Sequence, residues 1–227
     1  MTASIPQLPL RDELFLLGHD DDTGQPHVHR QTLALGMAGA VLIDLFLAGR
    51  VTLDPNETTC PASTPQLRLR VDRPVGDLIA DTALASIRHA HPAATVRPWL
   101  RGFADDLYER TRAGLLAAGI LHHHTRRRLA GLIRADTYLP TDTKWTVVPR
   151  ARLRYLAVGH ELPNNHTAAL AGLVAVLGLT PHLYLDDDTT ALTVRMTTVA
   201  DQHHWQVRDI TAAVDAAVGD LATAAYR

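Results

Sequence analysis

The sequence predicts a mainly α fold in a single domain, residues 1–227, and three observations carry that prediction. The chain is long enough for one sizeable hydrophobic core. Alanine and leucine are abundant while aromatics are only 5%, and no regular alternation of β-branched residues offers a sheet to build on. The longest apolar run, residues 33–48, falls short of the roughly 20 residues that span a bilayer and carries Asp44 inside it, so it is expected to be a buried core helix.

The elements follow in order. Pro9, the stretch RDELFLL and Gly18 read as a short helix, with proline near the first turn and glycine as the stop. After the turn DDDTGQP, residues 29–48 place Leu33, Met37, Val41 and Leu45 along one helical side. Gly36 and Gly39 leave that helix a flat place for a neighbour, and Gly49 ends it before an extended VTL. Residues 54–66, rich in Pro, Thr and Ser, predict a surface loop, and LRLRV alternates as a strand does. Helices are expected over 74–90, with Asp77 in the first turn, and over 95–118, stopped by Gly119. HHHTRRRLAGLIRAD, TYLPTD and TKWTVVP together predict two strands joined by a loop, a β-hairpin at about residues 126–149, with His122–His124 in a solvated turn. Helices resume over 150–159, 166–178, 187–200 and 209–225.

Composition limits location and chemistry. Cys60 is the only cysteine, which excludes an internal disulfide and a thiolate metal cluster. The first residues, MTASIPQLPLRDE, lack a basic stretch followed by an apolar one, so a cytoplasmic location is expected, with any membrane contact peripheral, on the inner face of the cell membrane. Of 22 basic residues only Lys144 is a lysine, a bias that fits a GC-rich, bacterial coding sequence. The charge is uneven: net charge is -2 overall, yet residues 101–154 hold 11 Arg and Lys against 5 acids, an asymmetry suited to an anionic surface or to a solvated basic face.

The 13 histidines show no HExxH, and His27, His29 and His122–His124 lack a neighbouring Cys or paired carboxylate, so no metal is expected. Asp20–Asp22 and Asp186–Asp188 lack the alternation and terminal Glu of a calcium loop and are expected in turns and caps. GxGxxG, GxxxxGK[ST] and GxSxG are absent, so no cofactor and no catalytic residue are expected. Arg126, Arg127 and Arg128 beside LAGLI suit a headgroup boundary; the other reading is a hairpin packed on the domain or on a second subunit.

LPLRDELFLLGHDDDTGQ, GMAGAVLIDLFLAGRVTL, DRPVGDLIADTALASI and AGLLAAGIL, in that order, resemble the Golgi phosphoprotein 3 family, and the chain looks like a bacterial, actinobacterial-type homologue. The resemblance implies helices around a central apolar helix, with a projecting β-hairpin used in self-association, hence a homo-oligomer and protein partners rather than nucleic acid. Eukaryotic members bind phosphatidylinositol 4-phosphate at Golgi membranes and link glycosyltransferases to the retrieval coat. In this chain the family's headgroup-stacking Trp falls at His29, a core-helix Arg at Ala38, and two further arginines near Asp105 and Tyr108. Losing these donors and adding a carboxylate argues against phosphatidylinositol 4-phosphate specificity. Neighbouring His29, Arg30, Arg101, Arg110 and Arg112, with Arg126, Arg127 and Arg128, are the candidate lipid or anion-binding residues. The expected function is a peripheral, anionic-lipid-binding adaptor; the alternative is a soluble interaction or regulatory module that keeps the fold without lipid recognition. An enzyme has the least support.

Overall fold

The computed structural model describes residues 7–54, 65–90, 94–128, 133–160, 164–184, 188–202 and 204–224. It is mainly α: ten helices and two small two-stranded antiparallel sheets among the described residues. One contiguous core cluster of buried apolar side chains runs from Leu10 in the first helix to Ala217 in the last.

That core is organised by α2 (Arg30–Leu47), which contacts α1 (Leu10–Leu17), α3 (Leu78–Arg88), α4 (Val96–Ala104), α5 (Leu107–Ala117), α7 (Asn165–Val176) and α10 (Trp205–Ala224). A helix hydrophobic nearly all round must be surrounded. α2 is apolar and long enough to cross a membrane by length and composition, but 67% of it is buried inside the protein. Two glycines permit the close approach. A methyl group at Gly36 would come within 2.5 Å of Leu177 Cδ1, and one at Gly39 would overlap Val214 of α10. Gly49, at φ 68°, supplies the left-handed turn that ends α2.

β1 (Val51–Asp54) follows and pairs with β2 (Gln66–Leu69), Val51 opposite Leu69. Most of the predicted surface loop between them lies outside the described residues. Asp77 caps α3, accepting the Ala80 amide at 2.8 Å. The single helix expected over residues 95–118 is two, α4 and α5, broken at Asp105 and Asp106. Buried Trp99, Phe103, Leu107 and Thr111 keep the helical spacing across the break, so periodicity gave no warning of it.

The hairpin lies earlier than expected. β3 (Leu121–Arg128) pairs with β4 (Ile133–Pro140), Leu121 opposite Pro140, so His122–His124 are strand residues and TYLP belongs to the second strand. Asp136 explains part of this register: it accepts from His123 at 2.9 Å and from Thr125 at 3.2 Å across the ladder. The stretch expected as a second strand, TKWTVV, instead opens α6 (Lys144–Val158), where Asp142 accepts the Lys144 amide at 2.9 Å and Pro149 lies inside the helix. α8 (Thr180–Leu183) occupies the expected Gly178–Pro181 turn, and α9 (Thr189–Gln202) precedes α10.

Candidate functional site

A cavity of about 870 Å³ forms an open groove at the N-terminal end of α2. Four parts of the chain converge on it. The approach to α2 supplies Pro26, Val28 and His29; the first turns of α2 supply Arg30, Gln31, Ala34 and Leu35. The α4–α5 break supplies Arg101, Ala104, Asp105, Tyr108 and Glu109, and the last turns of α10 supply Ala217, Asp220, Leu221 and Ala224. Ala34, Leu35, Ala104 and Ala217 are buried and make an apolar floor, while His29, Arg30, Arg101, Asp105, Glu109 and Asp220 are exposed on its walls.

Local structure fixes these side chains. His29 is the N-cap of α2, its Nδ1 facing the Gln31 amide at 3.3 Å, so the ring sits where the positive end of an 18-residue helix dipole emerges. Arg30 lies with its guanidinium carbon 5.1 Å from the centre of the Tyr108 ring and reaches Glu109 at 3.8 Å. The Tyr108 hydroxyl is bonded to buried His19 Nε2 at 2.7 Å. Burial pushes the His19 imidazolium down to about 4, the Phe15 carbonyl opposing this. The Tyr108 ring is thereby a fixed wall rather than a mobile one. On the far wall Arg101 and Arg97 both pair with Asp220 of α10.

Of the candidate residues, His29, Arg30 and Arg101 are brought together in this groove. Arg110 and Arg112 are not among its lining residues. Arg110 pairs with Asp106 at 3.4 Å and lies over Phe103, and Arg112 pairs with Glu109 and lies 4.3 Å from the Tyr138 ring centre. Arg126, Arg127 and Arg128 fall on β3, but their side chains lie outside the described residues. Three of the four positions at which the family resemblance places lipid ligands, His29, Asp105 and Tyr108, line the groove; Ala38 is fully buried in the core. Sequence reasoning missed Asp220, more than a hundred residues from Arg101, and no local pattern marks that approach.

Electrostatically the groove is mixed. Its walls carry two guanidinium groups, Arg30 and Arg101, and three carboxylates, Asp105, Glu109 and Asp220. Asp44 lines a separate cavity of about 380 Å³ with Arg11, Asp77 and His166, so it is not gathered with His29. Among the described residues no group of three or more His, Cys, Asp or Glu is arranged to hold a metal ion.

A sequence model described as Golgi phosphoprotein 3 (GPP34) matches residues 10–217, from the first turn of α1 to the groove-lining turn of α10. With a match over nearly the whole length, and a mainly α fold built around α2, this chain belongs to the Golgi phosphoprotein 3 family.

Proposed function

We propose that this protein is an adaptor-like peripheral membrane protein that docks on lipid through the groove at the start of α2. The supporting observation is the groove itself, in which His29, Arg30 and Arg101 stand over an apolar floor beside the positive end of α2. A phosphate oxygen is stabilised there by guanidinium donors and by the helix dipole, and the floor accepts the first methylenes of a lipid. The basic excess of residues 101–154 adds long-range attraction to an anionic surface. The membrane addressed is the inner face of the cell membrane and the chain acts as one domain; the hairpin serves self-association, as the family resemblance implies.

A groove lined by Asp105, Glu109 and Asp220 does not suit the several negative charges of phosphatidylinositol 4-phosphate, in keeping with the altered ligand positions. Flotation of the full chain with vesicles containing phosphatidylglycerol at low salt tests the membrane reading. Recovery in the lipid fraction that fades as salt rises is the expected result; absence of recovery at low salt would sink it.

The second reading, a soluble interaction module, is favoured by one observation: Glu109 and Asp220 already pair with Arg30 and Arg101 inside the same groove. It predicts that the protein stays soluble with every vesicle composition.

A further inference from the structure

We propose that the lipid headgroup read by the groove is zwitterionic, a phosphodiester joined to a primary ammonium, as in phosphoethanolamine. The inference rests on the membrane reading above and names the ligand class of that same site.

Charge balance is the first argument. Glu109 is also held by Arg112, and Asp220 by Arg97 and Arg101, which leaves loosely held Arg30 and Asp105 as the wall groups of opposite sign open to a ligand. A polyphosphorylated headgroup would bring several negative charges beside Asp105 with Arg30 as the one loosely held guanidinium to meet them. A headgroup with one phosphate and one ammonium matches both signs. Asp105 makes no ion pair among the described residues, and at the α4–α5 break it stands exposed beside the pairs that Glu109 and Asp220 make.

The second argument is the weakness of the ion pairs now in place. Arg30 and Glu109 are 3.8 Å apart, with their side chains 59% and 53% exposed; such a pair is worth little and is readily exchanged for ligand contacts. A phosphodiester oxygen entering beside the first turn of α2 takes the Arg30 guanidinium, Glu109 staying with Arg112, and an ammonium held on the same headgroup by an ethylene bridge takes the Asp105 carboxylate. Each ionic group of the site then has a partner of opposite sign.

The third argument separates a primary from a quaternary ammonium. Carboxylates recognise N–H donors, which a trimethylated nitrogen lacks. A quaternary cation instead needs open aromatic faces. Tyr108, the groove's tyrosine wall, has the Arg30 guanidinium 5.1 Å from its ring centre and the rings of Phe15 and His19 at 5.2 Å and 5.6 Å. Its faces are already engaged, so phosphocholine finds carboxylates without donors to give them and no open aromatic face.

The test is flotation of the full chain, at one low salt concentration, with vesicles of phosphatidylcholine alone, phosphatidylcholine with phosphatidylethanolamine, and phosphatidylcholine with phosphatidylglycerol. Free glycerophosphoethanolamine serves as competitor. Phosphatidylethanolamine vesicles are expected to recover about tenfold more protein than phosphatidylcholine alone, the factor one charge-assisted contact implies. The competitor should reverse that gain. Asp105→Asn should bring the ratio close to one while raising recovery on phosphatidylglycerol; the site is exposed, so thermal melts should stay near wild type. A preference that survives this substitution reflects vesicle packing and overturns the proposal. So does equal recovery on phosphatidylethanolamine and phosphatidylcholine with binding to phosphatidylglycerol intact, a result that leaves the membrane reading standing. Recovery on none of the vesicles overturns both. Binding of glycerophosphoethanolamine without vesicle recovery would reassign the site to a soluble ligand and defeat the lipid proposal.

Discussion

The carboxylate of Asp44, in the last turn of the central helix, accepts the backbone N–H of Leu10 at 2.9 Å and so caps the helix that begins the fold. Pro9 precedes that helix and brings no side-chain cap of its own. One acid in the middle of an apolar run thus joins α1 to α2. Its burial has a consequence for pH.

Burial pushes Asp44 up to about 7, with His166, the Leu10 amide and Arg11 opposing, and pushes neighbouring Asp12 up to about 6. A carboxyl whose folded pKa lies above its unfolded value contributes stability that is complete below about pH 4 and is lost as pH rises through the folded pKa. Asp44→Asn keeps the acceptor oxygen and removes the titration. Relative to wild type it should gain on the order of 3 kcal/mol between pH 4 and pH 8, read by denaturant unfolding at both pH values. Parallel pH profiles for the two proteins would refute the assignment.

His19 has the opposite sign. Its folded value, about 4, lies below that of a free imidazole, so its contribution is present above about pH 6.5 and lost as pH falls toward 4. The His19 ring resonances should remain those of a neutral imidazole down to about pH 5, and Tyr108→Phe should alter them by removing the 2.7 Å bond. A midpoint near 6.5 would show that the ring is open to water.

Arg11 grips Asp77 with two bonds of 2.7 Å from a side chain only 8% exposed, and the same carboxylate caps α3. Asp77→Ala removes the cap and leaves a buried guanidinium short of its partner. A loss of about 3 kcal/mol is expected, larger than that of a surface ion pair; a change below about 1 kcal/mol would place the pair with ordinary exposed bridges.

Gly39 faces Val214, whose branched side chain is stiff in a helix. Gly39→Leu should overpack the α2–α10 contact and cost about 3 kcal/mol despite leucine's better helix propensity. Because α10 also forms one groove wall, the same variant should weaken vesicle binding. Unchanged melting would mean that the helices part easily there.

The double variant Arg30→Ala with Arg101→Ala removes both guanidinium groups of the groove. Since their side chains are 59% and 52% exposed, stability should move by less than about 1 kcal/mol. Recovery on phosphatidylglycerol vesicles should fall at least about tenfold, as loss of charge-assisted phosphate contacts implies. Full retention would shift the membrane contact elsewhere, with the hairpin arginines the next to test.

The sequence by itself determined the elements whose signals are local. The apolar spacing of residues 33–48, with Gly49 behind it, placed α2, and Pro9 and Gly18 bracketed α1, because stops, caps and helical periodicity act within a few residues. The family was legible for the same reason, since its packing motifs lie in continuous stretches. What the tertiary structure decided was whatever depends on partners distant in sequence. The α4–α5 break lies within uninterrupted helical spacing. The hairpin register depends on cross-strand contacts such as His123 to Asp136, which moved TKWTVV from the expected strand into α6. The groove depends on Arg101 meeting Asp220 of the last helix beside His29 and Arg30 of the second. Its charge balance follows from that meeting, because a site's electrostatics is set by distances in space and not by distances along the chain.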